Sequence, residues 1–161
     1  KELADTRTAA DYGYLSRDEY ARRIGTIVGM DESRVREAID QQHVRNEPLI
    51  AYAKLLKRTY KTALLSNVGS EVMDRIFTEK EMNTLFDTHV LSCEVGIVKP
   101  DRQIYLLTVK RLGLSPEECI MVDDREEFGA GADAAGMRPV LHRSDHETMR
   151  AIDRLLAQPR G

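Results

Sequence analysis

Residues 61–67 of the sequence read Lys-Thr-Ala-Leu-Leu-Ser-Asn, a short apolar run that ends in small polar residues. Such a run is typical of a buried parallel β-strand with a polar loop at its carboxyl end. A helical pattern follows, with apolar residues at Val72, Met73, Ile76 and Phe77. This first strand and helix indicate an α/β fold.

Strand and helix patterns alternate from there to the end of the chain. Three more short apolar runs predict strands at residues 89–92, 119–122 and 138–141. The segments between them have helical periodicity, and Ser144 is placed to cap a last helix. This alternation predicts a Rossmann-like α/β fold, in which a parallel sheet carries helices on both faces.

The first sixty residues have helical patterns only. Ser16 and Glu19 have the spacing of a capping box, and Glu47-Pro48 places a proline at the first position of another helix. We therefore predict two units, which are a partial helical cap over residues 1–46 and an α/β core over residues 47–161.

The composition argues against several classes of function. The 161 residues are 42% hydrophobic and 32% charged, which is typical of a globular domain. The net charge of −3, with both signs interspersed, argues against nucleic-acid binding, which needs a basic face. No apolar run approaches the ~18 residues of a membrane span. Cys93 and Cys119 lie far apart and predict two reduced thiols, so we expect a cytoplasmic protein.

Three sets of polar residues stand outside the carboxyl ends of the predicted strands, where ligands bind in open α/β sheets. Ser66 ends the first strand, Lys99 begins the helix after the second, and Asp123-Asp124 ends the third. Taken singly, Ser66 could cap a helix and Lys99 could lie in solvent. Two adjacent carboxylates repel each other unless a cation lies between them. Together, the hydroxyl, the lysine and the acidic pair predict a phosphate held against a hard divalent cation.

The order of these residues resembles the haloacid-dehalogenase (HAD) superfamily of hydrolases. Residues 64–67 (Leu-Leu-Ser-Asn) are similar to its second motif, and residues 92–101 (Ser-Cys-Glu-Val-Gly-Ile-Val-Lys-Pro-Asp) to its third. Residues 121–124 (Met-Val-Asp-Asp) are similar to its fourth motif. The N-terminal helices resemble the cap that many members insert after their first motif.

The resemblance implies Mg²⁺-dependent hydrolysis of a phosphomonoester through an aspartyl-phosphate. Ser66 and Asn67 would bind the phosphate, and Lys99 would supply a positive charge to it. Asp123 and Asp124 would hold the Mg²⁺ cofactor. Ser66 and Lys99 are the catalytic residues in this scheme, and the cap would select a small phosphorylated metabolite as substrate.

Two features depart from the family pattern. Many phosphatase members have an asparagine four residues after the second aspartate of the pair, where this sequence has Phe128. The family's first motif is an Asp-x-Asp at the end of the first strand, and it supplies the nucleophile. Asp5 and Asp11 lie in a polar, helical stretch with no apolar strand before them, so neither is assigned that role.

In the family, the strand with the first motif lies at the sheet centre, between the strands that here end at Ser66 and Asp123. Without it the sheet would divide into two halves with unpaired inner edges. The sequence begins with Lys1 rather than Met. We therefore expect about 15–30 further residues before Lys1 in the complete protein, the length of a strand and a loop. We also expect the chain as given to be inactive.

Three other kinds of protein would carry part of this pattern. A non-catalytic member would bind a phosphorylated ligand or a partner protein, which Phe128 favours and the intact Lys99 disfavours. A phospho-acceptor receiver domain has its acidic pair first and its lysine last, unlike this chain. A true dehalogenase needs no metal, so Asp123-Asp124 argues against it. The sequence does not indicate an oligomeric state.

Overall fold

The computed structural model describes residues 1–42 and 44–158. Residue 43 and residues 159–161, which the predicted cap and core include, lie outside that part. Four β-strands are present among these described residues, each within two residues of a predicted strand, and the α/β fold is confirmed. They are β1 (Ala63–Ser66), β2 (Thr88–Leu91), β3 (Ile120–Asp123) and β4 (Arg138–Leu141).

The strands pair in parallel, but as two sheets rather than one. In the first sheet β1 pairs with β2, and Ser66 lies opposite Leu91. In the second, β3 pairs with β4, and Asp123 lies opposite Leu141. Within the described residues no strand joins β1 to β3, so the single predicted sheet is found as two halves. The division falls between the strands that end at Ser66 and Asp123, where the sequence predicts a gap.

Ten α-helices are described. The described residues among 1–46 form helices and no strand, as predicted. The ten helices are α1 (Glu2–Asp11), α2 (Arg17–Val28), α3 (Glu32–Gln42), α4 (Glu47–Leu56), α5 (Val72–Ile76), α6 (Glu79–Leu85), α7 (Ser92–Val95), α8 (Arg102–Leu112), α9 (Glu126–Ala134) and α10 (Asp145–Ala157). The first three contact one another in sequence order, whereas α4 contacts α6 and α10. The boundary between cap and core at residue 46 stays a prediction.

Local signals in the sequence account for several helix ends. The Ser16 hydroxyl accepts a hydrogen bond from the Glu19 N–H at 3.2 Å and so caps α2. Gly29 ends the same helix in the left-handed conformation, at φ 68°. The Ser144 hydroxyl accepts from the Glu147 N–H and caps α10. The sequence gives no sign of α7, because four residues are too few for a helical period to show.

A hydrophobic core cluster lies around β2, β3 and α8. Val90, Ile104 and Tyr105 are fully buried there, and Met121 of β3 packs in the same cluster. Cys119 is buried beside them, and neither it nor Cys93 forms a disulfide. In the part of the chain that the structure describes, no helix is both long and apolar enough to cross a membrane.

A cavity of about 530 Å³ lies between the two sheets, and we call it the inter-sheet cleft. Its lining is mainly apolar and comes from β1, β3, α4, α8 and α10. No residue of α4 is buried, although its sequence, Glu-Pro-Leu-Ile-Ala-Tyr-Ala-Lys-Leu-Leu, is mostly apolar. The cleft therefore leaves apolar surface uncovered on a helix and on two strands.

Candidate active site

The Lys99 side chain connects the carboxyl ends of β1 and β3. Its ammonium donates to Asp123 Oδ2 at 2.6 Å and to the Leu65 carbonyl at 3.3 Å. Lys99 is only 7% exposed, and the Asp123 side chain is 9% exposed. Burial strengthens such a pair and makes loss of either partner costly, because the remaining charge would be left without compensation. The structure thus brings together two of the predicted site residues.

Asn67 fixes the backbone of Lys99. Its side-chain amide donates to the Lys99 carbonyl at 3.0 Å, and its oxygen accepts from the Lys99 N–H at 2.8 Å. The Lys99–Pro100 peptide bond is cis. Both ends of the Asn67 amide are therefore used to position the lysine, and its predicted role in binding substrate stays a prediction.

The Phe128 ring packs against two positively charged side chains, those of Lys99 and Arg125. Its ring centroid lies 4.7 Å from Lys99 Nζ and 4.3 Å from the Arg125 guanidinium carbon. Both contacts have the geometry of cation–π interactions. The Phe128 carbonyl accepts a hydrogen bond from the buried Tyr105 hydroxyl at 2.8 Å. Burial, and then the charge of Asp123, raises the pKa of Tyr105 to about 12.

The acidic pair has one inward and one outward member. Asp123 faces Lys99, and its Oδ1 also accepts from the Arg125 N–H at 3.0 Å. Asp124 is exposed, and Ser66 is half-buried at the end of β1. No group of three or more His, Cys, Asp or Glu side chains is placed to hold a metal among the residues described. Two carboxylates nevertheless fit Mg²⁺, which commonly takes one or two of them and fills its shell with water and phosphate oxygens.

The end of α1 lies against the start of α7 beside the site, and the sequence analysis does not predict this contact. The fully buried Ser92 donates to the Asp11 carbonyl at 2.5 Å and accepts from the Val68 N–H at 2.9 Å. Burial raises the pKa of the Asp11 carboxyl, although the charges of Arg7, Arg125 and Lys99 oppose that effect. Asp11 is therefore a half-buried carboxylate on the same side of the molecule as Lys99.

Comparison with known proteins gives this geometry a context. The family model that matches residues 9–136 describes haloacid dehalogenase-like hydrolases. Bifunctional epoxide hydrolase 2 of Rattus norvegicus is 30% identical over 118 residues, covering 68% of this chain and 21% of that protein. The phosphorylated carbohydrates phosphatase of Thermotoga maritima is 24% identical over 158 residues, covering 83% of this chain and 73% of that protein. The chain thus spans about a fifth of the rat relative's length.

Solved structures show the same fold. A predicted HAD-like family hydrolase from Porphyromonas gingivalis superposes with a TM-score of 0.78 and 24% identity, covering 96% of this chain and 80% of that chain. A HAD family enzyme from Bacteroides thetaiotaomicron, an aspartate-to-alanine variant in complex with magnesium and inorganic phosphate, gives a TM-score of 0.72 and 16% identity. That match covers 88% of this chain and 85% of that chain.

Proposed function

Because the chain belongs to the haloacid dehalogenase-like hydrolase family, we propose that the complete protein is a Mg²⁺-dependent phosphatase of small phosphorylated metabolites. Phosphatases among the family's members support the general activity, such as the relative from Thermotoga maritima. The substrate class, the magnesium and a cytoplasmic location are part of the proposal. The location rests on the two free thiols.

The observation that carries the proposal is the buried Lys99 ammonium, held between the ends of β1 and β3. A fixed positive charge in a nearly dry site stabilises charge that develops on a phosphoryl group far better than one in water would. Asn67 hydrogen-bonds the backbone of Lys99, and the Phe128 ring makes a cation–π contact with the Lys99 ammonium. The lysine is therefore already positioned before any ligand binds.

The remaining residues have roles that follow from their chemistry. Ser66 would donate a hydrogen bond to a phosphate oxygen, and Lys99 would neutralise the same group. Asp123 and Asp124 would hold Mg²⁺, whose charge offsets the repulsion between an attacking carboxylate and the phosphate. An aspartate outside the described residues would attack phosphorus and release the alcohol, and water would then hydrolyse the aspartyl-phosphate. Asp123 is the only carboxylate paired with Lys99 in the part of the chain described here.

A second candidate is a non-catalytic module that binds a phosphorylated ligand or a partner protein. Phe128 favours it, because a ring in place of the family's frequent asparagine cannot donate or accept hydrogen bonds there. The two candidates differ in turnover but not in phosphate binding.

The test uses the chain extended to its native N-terminus, a generic phosphate ester and Mg²⁺. We expect turnover, and we expect Lys99→Met to lower kcat/KM by about 10²–10³-fold, as loss of a preorganised charge does. Asp124→Asn should weaken Mg²⁺ binding measured by calorimetry. Lys57→Met is the matched control, because Lys57 pairs with Asp87 away from this site.

The outcomes separate the two candidates. Binding of inorganic phosphate without turnover in the extended protein would favour the non-catalytic module. Equal kcat/KM for Lys99→Met and Lys57→Met in an active protein would contradict the catalytic role assigned to Lys99.

A further inference from the structure

We infer that Arg125 selects phosphate esters that carry a carboxylate close to the phosphate, because its guanidinium binds that second anionic group. Arg125 is then a specificity-determining residue of the site, whereas Lys99 contacts the phosphate itself. The inference rests on the proposed function, since it requires a phosphate beside Lys99. It adds to that function a substrate class, which is small phosphorylated carboxylic acids.

The backbone of Arg125 is fixed at the carboxyl end of β3. The residue directly follows Asp123 and Asp124, and its N–H donates to Asp123 Oδ1 at 3.0 Å. Its carbonyl accepts from the N–H groups of Phe128, at 3.1 Å, and Gly129, at 3.2 Å, where α9 begins. The Arg125 side chain therefore starts beside the acidic pair, at the edge of the sheet where ligands bind in α/β folds.

The Phe128 ring brings the Arg125 side chain close to Lys99. The guanidinium carbon lies 4.3 Å from the ring centroid, and Lys99 Nζ lies 4.7 Å from the same centroid. The two positive charges can therefore be no further apart than these two distances added together. Phe128 is only 6% exposed, so the core holds the ring that both cations contact. This contact gives a function to the residue that departs from the family pattern.

The charges of Arg125 and Lys99 also act on the same space. Burial raises the pKa of the Asp11 carboxyl at the end of α1, and the charges of Arg7, Arg125 and Lys99 oppose that effect. The Arg125 and Lys99 charges thus both reach one carboxyl group on the opposite side of the site. A carboxylate on Arg125 and a phosphate on Lys99 would therefore lie on the same side of the molecule, where one short ligand can contact both.

The Arg125 guanidinium already pairs with a carboxylate, that of Glu127. The two side chains are 53% and 56% exposed, so the pair lies open to solvent. An ion pair this exposed contributes little to stability, because water screens both charges. A substrate whose phosphate is already bound makes its second contact within the complex, at a small further entropic cost. Its carboxylate can therefore displace that of Glu127.

The chemistry of the guanidinium decides the kind of second group. Its planar N–H donors match a carboxylate in a fork of two parallel hydrogen bonds, and it keeps its charge at neutral pH. A hydroxyl or an amide of similar size cannot accept such a fork with a compensating charge, so it gains less. The closeness of Arg125 to Lys99 fits only a few bonds between the carboxylate and the phosphate, which agrees with a small substrate.

The test compares two phosphate esters of nearly equal size on the chain extended to its native N-terminus, in the presence of Mg²⁺. One is β-hydroxypropionate phosphate, which carries the carboxylate, and the other is its primary amide, which is neutral at that position. We expect kcat/KM for the acid to exceed that for the amide by about 10-fold or more, as a hydrogen bond between charged groups provides. Calorimetry gives the same preference as a ratio of dissociation constants if the esters bind without turnover.

Two substitutions should move this preference in opposite directions. Arg125→Met removes the guanidinium, so the preference should fall to about twofold or less. Glu127→Gln removes the competing carboxylate, so the preference should rise. Arg23→Met is the control for the arginine, because Arg23 is similarly exposed in a pair with Glu19 on α2. Glu126→Gln is the control for the glutamate, because it removes the same charge from the adjacent position. Both controls should keep the preference of the unsubstituted protein.

The outcomes separate this inference from the proposed function. Equal binding of the acid and the amide by the unsubstituted protein would overturn the inference and leave the proposed function standing. A preference that survives Arg125→Met, or that Arg23→Met lowers by the same factor, would also overturn the role of Arg125. If neither ester nor inorganic phosphate binds to the extended protein, the proposed function fails and the inference fails with it.

Discussion

Asp11 shows how a single residue at the end of α1 lowers the stability of the folded chain. It lies in the last turn of α1, where a negative charge opposes the helix dipole, and it is half-buried beside Ser92. Its pKa is raised from 3.8, chiefly by burial. A carboxyl whose pKa is raised on folding favours the folded state when protonated. That contribution is complete below pH 3.8 and is lost as the pH rises through the raised pKa.

We therefore predict that Asp11→Asn increases the free energy of unfolding at pH 7, because the amide keeps the hydrogen-bonding shape without the charge. The gain should disappear at low pH, where Asp11 itself is protonated. Urea unfolding followed by circular dichroism at several pH values measures both effects. Asp5→Asn is the control, since Asp5 is exposed in the first turn of the same helix and its charge is favourable there. A gain for Asp11→Asn that is the same at every pH would contradict this explanation.

At this scale the sequence predicted that Lys99 and the Asp123-Asp124 pair lie at the same edge of the sheet, but not the direct ion pair of Lys99 with Asp123 or the contacts of Asn67 that hold Lys99 in place. Residues at the carboxyl ends of parallel strands must converge, so their order along the chain was sufficient. The bonds from Asn67 to the Lys99 backbone depend on how two loops meet, and no spacing within either loop encodes that. Asp11 and Ser92 were missed for the same reason, because their contact joins segments 81 residues apart.

Among the elements, the junction of α1 with α7 depends on close backbone approach at Gly13. Its φ is +80°, and an added Cβ would lie 2.4 Å from the Cys93 carbonyl oxygen. Gly29 also has a positive φ, of +68°, but an added Cβ there would meet nothing within 4 Å. Both glycines therefore need a positive φ, but only at Gly13 would an added side chain also collide with a neighbouring segment.

Gly29→Ala should cost about 1–2 kcal/mol of stability, which is the price of a left-handed alanine. Gly13→Ala should cost more, because the methyl group would push α1 and its Asp11 away from α7. Differences in the urea midpoint between the two variants isolate that clash. In the extended protein, Gly13→Ala should also change KM for the phosphate ester, and Gly29→Ala should not. Equal destabilisation by both variants would show that the junction relaxes without cost.

Helices and strands differ in how well local signals predicted them. The four strands were found because short apolar runs between polar loops are typical of buried parallel strands. The caps of α2 and α10 were found because Ser16 and Ser144 each precede a glutamate by three residues. The short helices α6 and α7 were not separated from the loops around them, since one or two turns carry too little periodicity.

For the molecule as a whole, the main feature is the division of the sheet. The order of the motifs predicted one parallel sheet with a gap at its centre, and the structure has two parallel pairs with an apolar cleft between them. The positions of the helices around this gap could not be predicted from the sequence. These helices keep the cleft open at about 530 Å³, and α4 is left without a buried residue.

This arrangement leads to a prediction about global stability. In the 161-residue chain the apolar surface of the cleft is exposed before unfolding begins, so unfolding exposes less new surface and the urea m-value should be low for its size. Filling the cleft with a strand of about five apolar residues should raise the free energy of unfolding by on the order of 3 kcal/mol. Burial of each large apolar side chain contributes about 1.5–3 kcal/mol, and ordering each residue's backbone costs about 1–2 kcal/mol.

The measurement compares the short chain, the chain extended to its native N-terminus, and a chain with a Gly/Ser extension of equal length. Circular dichroism follows unfolding, because the sequence has no tryptophan. The native extension should raise both the midpoint and the m-value and should reduce binding of an apolar dye such as ANS. The Gly/Ser extension should change none of these, since it cannot bury apolar side chains in the cleft. Equal stabilisation by both extensions would mean that chain length rather than a specific strand is responsible, and the cleft would then need another explanation.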